Sequence, residues 1–205
     1  ADSFILATGS TPAKLPVPGT DLDGVINSNH ALDFDALPKS LVIVGGGVIG
    51  VEFAYVFNTF NVEVTIIEML PEILANQDKD VTTLATEVLT EYGVKVHTAA
   101  SLQKIEEKGD QLEVFYQTAD GQKSKRCEKV LLSVGRSPRL DVLGDVSVQA
   151  DKRAIETNAY MQTNIPNIYA VGDVVGKYLL AHVATSQALV AVDHILGKKR
   201  KMSYD

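Results

Sequence analysis

Apolar residues along this chain gather into short runs and staggered sets. Phe4-Ile5-Leu6-Ala7 and Leu41-Val42-Ile43-Val44 are brief apolar runs, the second bounded by Ser40 and Gly45. Such runs predict strands, and one that is apolar at every position predicts a strand buried on both faces. Val48 to Phe57 is long enough and suitably patterned for a helix, and Asn61 to Glu68 reads as the next strand. Val81, Leu84, Val88 and Leu89 fall near helical spacing and predict a helix from about Asp78 to Tyr92. Gly93 is placed to cap it, and Val94 to His97 returns as a third strand.

A different texture follows. Leu102 to Glu107, Leu112 to Tyr116 and Lys129 to Val134 are strand-like, separated by the turn signals Lys108-Gly109-Asp110 and Ala119-Asp120-Gly121. This predicts a β-meander in place of a third crossover helix, with Val130 to Val134 re-entering the parallel sheet. Before the central unit, Lys14 to Gly19 is a proline-rich connector, and Asn27 to Leu37 predicts a short helix capped by Ser28 and ended by Pro38. After it, Thr157 to Thr163 alternates weakly, Ile165 to Val171 reads as a strand ending at Gly172-Asp173, and Ala181 to Leu196 reads as a helix stopped by Gly197. The expected fold is α/β: a Rossmann-like dinucleotide domain over residues 25–146, inserted in part of a second α/β domain formed by 1–24 and 147–205.

Composition narrows the function classes. The chain has 205 residues, with a net charge of −7 and 45% hydrophobic residues. The acidic balance argues against unaided nucleic-acid binding, and no apolar run approaches the ~20 residues of a membrane-spanning helix. The single cysteine, Cys127, excludes an internal disulfide framework, suits a reducing compartment and reads as a bystander. That fits a cytoplasmic protein, or a mitochondrial-matrix one in a eukaryote. His30, His97, His182 and His194 read by default as packed core histidines, no metal-ligand cluster is apparent, and Lys198 to Lys201 reads as a solvated tail. Ala1 precedes a strand without an initiator methionine, which predicts a piece of a longer protein.

Gly45, Gly47 and Gly50 stand at the spacing G-x-G-x-x-G between the buried strand and the helix. The first permits a tight turn, the second lets backbone approach a pyrophosphate, and the third lets helix press on strand, while the helix N-terminus attracts the phosphates. Glu68 ends the next strand 18 residues after Gly50, where a carboxylate meets the ribose 2′-hydroxyl of NAD. It repels a 2′-phosphate, and Met69 and Leu70 offer no arginine to receive one.

Four motifs in order carry a family resemblance: Ala7-Thr8-Gly9, then Gly45-x-Gly47-x-x-Gly50, then Val134-Gly135-Arg136-Ser137-Pro138, then Ala170-Val171-Gly172-Asp173. The chain resembles the flavoprotein pyridine nucleotide–disulfide oxidoreductases over nearly its whole length. Leu179-Leu180-Ala181-His182-x-Ala184 most resembles the dihydrolipoamide dehydrogenase branch, although many members carry Glu-Gly where this chain has Gln187-Ala188. NADH oxidases and mercuric reductases share the architecture, and a non-catalytic NAD-binding module is the reading from another class.

The resemblance implies that Gly45, Gly46, Gly47, Val48, Ile49, Gly50, Val51 and Glu52, with Glu68, Leu102 and Gly135, hold NAD. It implies that Thr8, Gly9, Asp173, Leu179, Leu180, Ala181 and His182 lie beside FAD in the full-length protein, Asp173 on the ribityl chain. It implies homodimers and lipoyl-bearing partners from 2-oxo-acid dehydrogenase complexes. No catalytic residue is assigned here, because the family's redox cysteine pair and His–Glu pair have no match in this chain. The acid at the strand end predicts that NADH binds more tightly than NADPH, and that Glu68→Arg narrows or reverses the difference. Equal affinities by calorimetry would count against the ribose role.

Overall fold

A computed structural model describes all residues except Val142, Leu143, Asp145, Lys152, Arg153 and Asp205. In chain order its elements begin with β1 (Phe4–Leu6), β2 (Ser10–Pro12), β3 (Val25–Asn27), α1 (Ser28–Ala31), β4 (Ser40–Val44), α2 (Val48–Thr59), β5 (Glu63–Ile67), α3 (Lys79–Glu91) and β6 (Lys95–His97). They continue with β7 (Ser101–Lys108), β8 (Gln111–Thr118), β9 (Gly121–Cys127), β10 (Lys129–Leu132), β11 (Arg136–Pro138), β12 (Ile168–Ala170), a 3-10 turn at Gly172–Val175, and α4 (Ala181–Ile195). Two units form: one from Pro12–Gly135, the other from Ala1–Thr11 with Arg136–Asp205. The proline-rich connector belongs to the first, because Leu15 and Leu22 pack into its core and the Ile105 amide donates to the Pro18 carbonyl.

The larger unit is built on a five-stranded sheet in the order β3-β10-β4-β5-β6, with every pairing parallel. Alternation along β4 explains its unbroken apolar run. Leu41 and Ile43 pack with Ala54 and Phe57 of α2 and Leu89 of α3, while Val42 and Val44 pack with Ile105, Val114 and Tyr116 of the meander. With helices on one face and the antiparallel sheet β7-β8-β9 on the other, no face of β4 meets water. The chain runs from β4 outward through β5 to β6, whereas β10 and β3 lie on the opposite side of β4. The carboxyl ends of β4 and β10 therefore flank the point where strand order reverses, the usual place for a ligand crevice in an open parallel sheet.

In the smaller unit β1 pairs in parallel with β12, and β2 pairs with β11. Met161, Tyr169, Val171, Val190 and Ala191 form one core, with Met202 against it, and Val148, Ile155, Ala170 and Val174 form a second. Among the described residues no helix is long and apolar enough to cross a membrane.

Several local expectations change. The α1 cap is Asn27, not Ser28: its side chain accepts from the Asn29 and His30 amides, and the helix lasts one turn. In α3 the buried positions are Thr82 and Leu89, while Val81 and Leu84 are exposed. Both stripes have helical spacing, and Thr82 tolerates burial because its hydroxyl reaches Glu72 and the Lys79 carbonyl. Residues 157–163 form no strand; they bend through a left-handed Met161 and touch β12 at a single bridge. Lys198 and Arg200 fold back onto Asp193 near the end of α4. The histidines are not core residues: His30 and His182 are exposed, and His97 and His194 are partly buried.

Cys127 lies in the core between sheet and meander, fully buried despite the polar strand that carries it. Burial pushes its thiol up from 9.0 to about 12, which makes it inert at neutral pH. The thiol ionises near its ordinary value once unfolded but stays protonated when folded. The unfolded chain therefore binds fewer protons in that window, and stability falls as pH rises from 9.0 toward about 12. Urea denaturation between pH 8 and 11 should show this decline in the wild type and a weaker one in Cys127→Ala.

Candidate functional sites

The site in the larger unit is built at the end of β4. Gly45 turns the chain with φ +106°, and a Cβ there would lie 2.5 Å from the Ser133 carbonyl oxygen. At Gly50 a Cβ would fall 2.0 Å from the Gly45 carbonyl oxygen, so only glycine lets α2 start this close to the strand. Gly47 is different: a Cβ would meet nothing within 4 Å, which leaves its backbone open to a ligand. Gly47 is also the N-cap of α2, and no side chain caps it. The first-turn amides of Val48, Ile49 and Gly50 are thus available to an anion at the positive end of the helix dipole.

Glu68 closes the turn. Its Oε2 accepts from the Gly46 amide at 2.5 Å and its Oε1 from the Leu70 amide at 2.7 Å, with the side chain buried. The acid is therefore a clamp on the glycine turn as well as a candidate partner for a sugar. A carboxylate offers about four acceptor sites, so two remain for ribose hydroxyls. The residues present fit an adenine dinucleotide: an open glycine at a helix N-terminus, next to an acid with acceptor capacity to spare.

Sequence reasoning did not find Ser133 or Ile73. The Ser133 hydroxyl reaches both the Val44 carbonyl at 3.0 Å and the Gly45 carbonyl at 2.8 Å, holding the turn from β10. Ile73 is fully buried, and its Cγ2 lies 2.6 Å from where a Gly46 Cβ would stand. The signal for Ser133 was available, as a polar residue ending the apolar β10 beside Gly135; Ile73 carried none. Glu52 is exposed on α2, and Val51 and Glu52 line an apolar groove of about 510 Å³ with Tyr55, Val56 and Val88. Leu102 is half-buried at the start of β7 against the meander core, and Gly135 follows β10 in a left-handed conformation. His97 ends β6, its ring 5.4 Å from that of Tyr116. Burial first, then the Lys123 and Lys95 cations, hold its imidazole below the ordinary value.

The smaller unit gathers a second set. Asp173 follows β12 at the start of the 3-10 turn, and its Oδ2 accepts from the Ser10 hydroxyl at 2.5 Å. Arg136 donates from Nε to the Ser10 hydroxyl at 2.7 Å and from Nη2 to the Ser10 carbonyl at 2.9 Å. Thr8 donates to the Arg139 carbonyl, and the Gly9 carbonyl accepts from the Arg139 amide. Leu179, Leu180, Ala181 and His182 are exposed where α4 begins, with Leu180 as an N-cap that makes no side-chain bond. Among the described residues only Oδ2 of Asp173 is engaged, which leaves Oδ1 free for a hydroxyl-bearing ligand and fits a ribityl chain. No group of side chains suited to a metal ion occurs among the described residues.

Comparison with known proteins adds a lineage. The model of the family described as pyridine nucleotide-disulphide oxidoreductase matches residues 1–188. The chain is 40% identical to the dihydrolipoyl dehydrogenase of Acholeplasma laidlawii, with 98% of this chain and 60% of the relative covered. It is 41% identical to that of Chlamydia pneumoniae, with 100% of this chain and 44% of the relative covered. The solved LpdA of Mycobacterium tuberculosis superposes with a TM-score of 0.88 at 29% identity, covering 99% of this chain and 44% of that one. The HOCl-induced flavoprotein disulfide reductase RclA of Escherichia coli, as its Cu(II) complex, gives 0.89 at 28% identity, with 98% and 46% covered. The chain thus spans about half the length of these relatives.

The clamp has a measurable consequence. Glu68→Ala strands the buried Gly46 amide and should cost about 1–3 kcal/mol of stability, and Ser133→Ala about 1 kcal/mol, by urea denaturation. An unshifted Glu68→Ala midpoint would remove the clamp. Glu68→Arg consequently disturbs the turn as well as the acid's remaining acceptor sites.

Proposed function

The chain belongs to the pyridine nucleotide-disulphide oxidoreductase family, and from that premise we propose that it supplies the NAD site and part of the flavin site of a dihydrolipoyl dehydrogenase. One observation carries the reading: an uncapped helix N-terminus opens on a bare glycine, with a buried carboxylate clamped to the same turn. That geometry accepts a pyrophosphate on backbone amides and a ribose diol on the acid. Relatives named dihydrolipoyl dehydrogenase at 40% and 41% identity favour this branch over other flavin reductases.

On this reading the overall reaction oxidises dihydrolipoamide to lipoamide, a dithiol becoming a disulfide, while NAD is reduced to NADH and a proton is released. Bound FAD supplies the redox step between thiols and nicotinamide. The residues of this chain bind and orient. Gly45 to Gly50 would seat the phosphates, Glu68 would hold the sugar and disfavour a 2′-phosphate, and Val51 and Glu52 would border the dinucleotide. Asp173 takes a ribityl hydroxyl on Oδ1 while Ser10 keeps its other oxygen in place. Thr8, Gly9 and Leu179 to His182 border the flavin, and Gly135 and Leu102 border NAD.

The chain holds one cysteine and so cannot cycle a disulfide by itself. The redox pair, like the acid–base pair that serves it, would come from residues outside this segment. A homodimer and lipoyl-bearing protein partners complete the proposal. For the 205-residue chain the expected outcome is NADH binding by calorimetry, little retained FAD in its visible spectrum and no dihydrolipoamide-dependent NAD reduction. Absence of NADH binding at millimolar concentration would sink the NAD reading. A stoichiometric flavin spectrum or steady turnover would sink the assignment of chemistry to residues elsewhere.

A further inference from the structure

Gln187 is a polar side chain with no exposed surface, in the second turn of α4. Both ends of its amide are used. Oε1 accepts from the Gly172 amide at 2.6 Å, and Nε2 donates to the Tyr204 hydroxyl at 2.9 Å. Gly172 opens the 3-10 turn that carries Asp173. Tyr204 belongs to the segment after α4, where its ring lies 5.6 Å from that of Tyr178 and under the Lys177 ammonium at 4.0 Å. The same segment is held by the Met202 amide on the Ala159 carbonyl at 2.8 Å and by Met202 packed against the core.

We propose that Gln187 is the positioning residue of the Gly172–Asp173 turn, and that its bond to Tyr204 latches the segment Lys198–Tyr204 to that turn. The Asp173 carboxylate is then oriented from two sides, by Ser10 on its own oxygen and by Gln187 through the backbone before it. A buried amide left with one end unpaired is disfavoured, so losing either bond weakens the other. Undocking Tyr204 releases Gln187, loosens Gly172 and unsettles the carboxylate. The functional meaning rests on the flavin reading of Asp173: a hydroxyl-binding acid is held ready only while the segment beyond α4 is docked. A Glu at this position would meet the same demand, since it can accept from Gly172 and pair with a tyrosine hydroxyl in either protonation state.

The test is amide hydrogen exchange by NMR on the 205-residue chain at pH 7, without nucleotide, so that its failure bears on the latch alone. Failure of the flavin reading would be seen separately, in the spectrum and turnover measurements. Gln187→Met, of similar volume but without the amide, should speed exchange at Gly172 by about tenfold and also at Met202, while the β4 amides stay unchanged. Gln187→Glu should restore protection at both positions. Tyr204→Phe removes only the distal partner and should still raise Gly172 exchange, by about threefold. Gly172 exchange unaltered in either Gln187→Met or Tyr204→Phe overturns the proposal, as does failure of Gln187→Glu to rescue. Should Gln187→Met unfold the smaller unit, Tyr204→Phe carries the decision.

Discussion

The glycine turn after β4 depends on a carboxylate spending two of its acceptor sites on backbone. Without Glu68 on its amide, Gly46, the buried middle of the loop between strand and helix, would hold a donor with no water to satisfy it. Ser133 performs the complementary task, its single hydroxyl proton shared between the Val44 and Gly45 carbonyls. One acid and one hydroxyl thereby fix backbone that glycine alone would leave loose. A phosphate site on amides depends on that rigidity, because a mobile loop would have to be ordered at the moment of binding.

Much of this was legible in the residues, for physical reasons that can be named. The run Leu41–Val44 could only be a strand covered on both faces, and the spacing of Gly45, Gly47 and Gly50 identified the turn that follows. Sterics explain the spacing: at Gly45 and Gly50 the space for a Cβ is filled by backbone, whereas at Gly47 it is open. The other motifs mark a requirement of conformation and not of space, since Gly9, Gly135 and Gly172 all stand at positive φ with no backbone crowding a Cβ. A side chain at such a φ is strained, so glycine is favoured at these positions.

What escaped the sequence was decided by tertiary packing. Of the stripe Val81, Leu84, Val88 and Leu89 only Leu89 is fully buried in α3; Thr82 turns inward with it, and an available Glu72 makes a buried threonine affordable. Strand β9 reads as Gly-Gln-Lys-Ser-Lys-Arg-Cys, with no alternation to betray it, and is held by its ladder to β8. Three-residue strands such as β2, β3 and β11 lie below the length at which periodicity carries information. Ile73 matters only through a neighbour distant in sequence, Gly46, and no local pattern announces it.

The two acids illustrate one solution reached with different parts. Glu68 and Asp173 each sit just past a parallel strand, and each has a carboxylate oxygen fixed by a hydrogen bond from elsewhere in its own unit. Glu68 is held by backbone amides alone. Asp173 is held by a serine that Arg136 orients, on a turn tied down by Gln187. The first arrangement depends on little besides its own turn and strand. The second draws on β2, β11, α4 and the segment beyond it, so any change that loosens one of these reaches the carboxylate. An acid fixed by backbone suits a permanent site, whereas one fixed through side chains from four segments can be set or released by what happens to any of them.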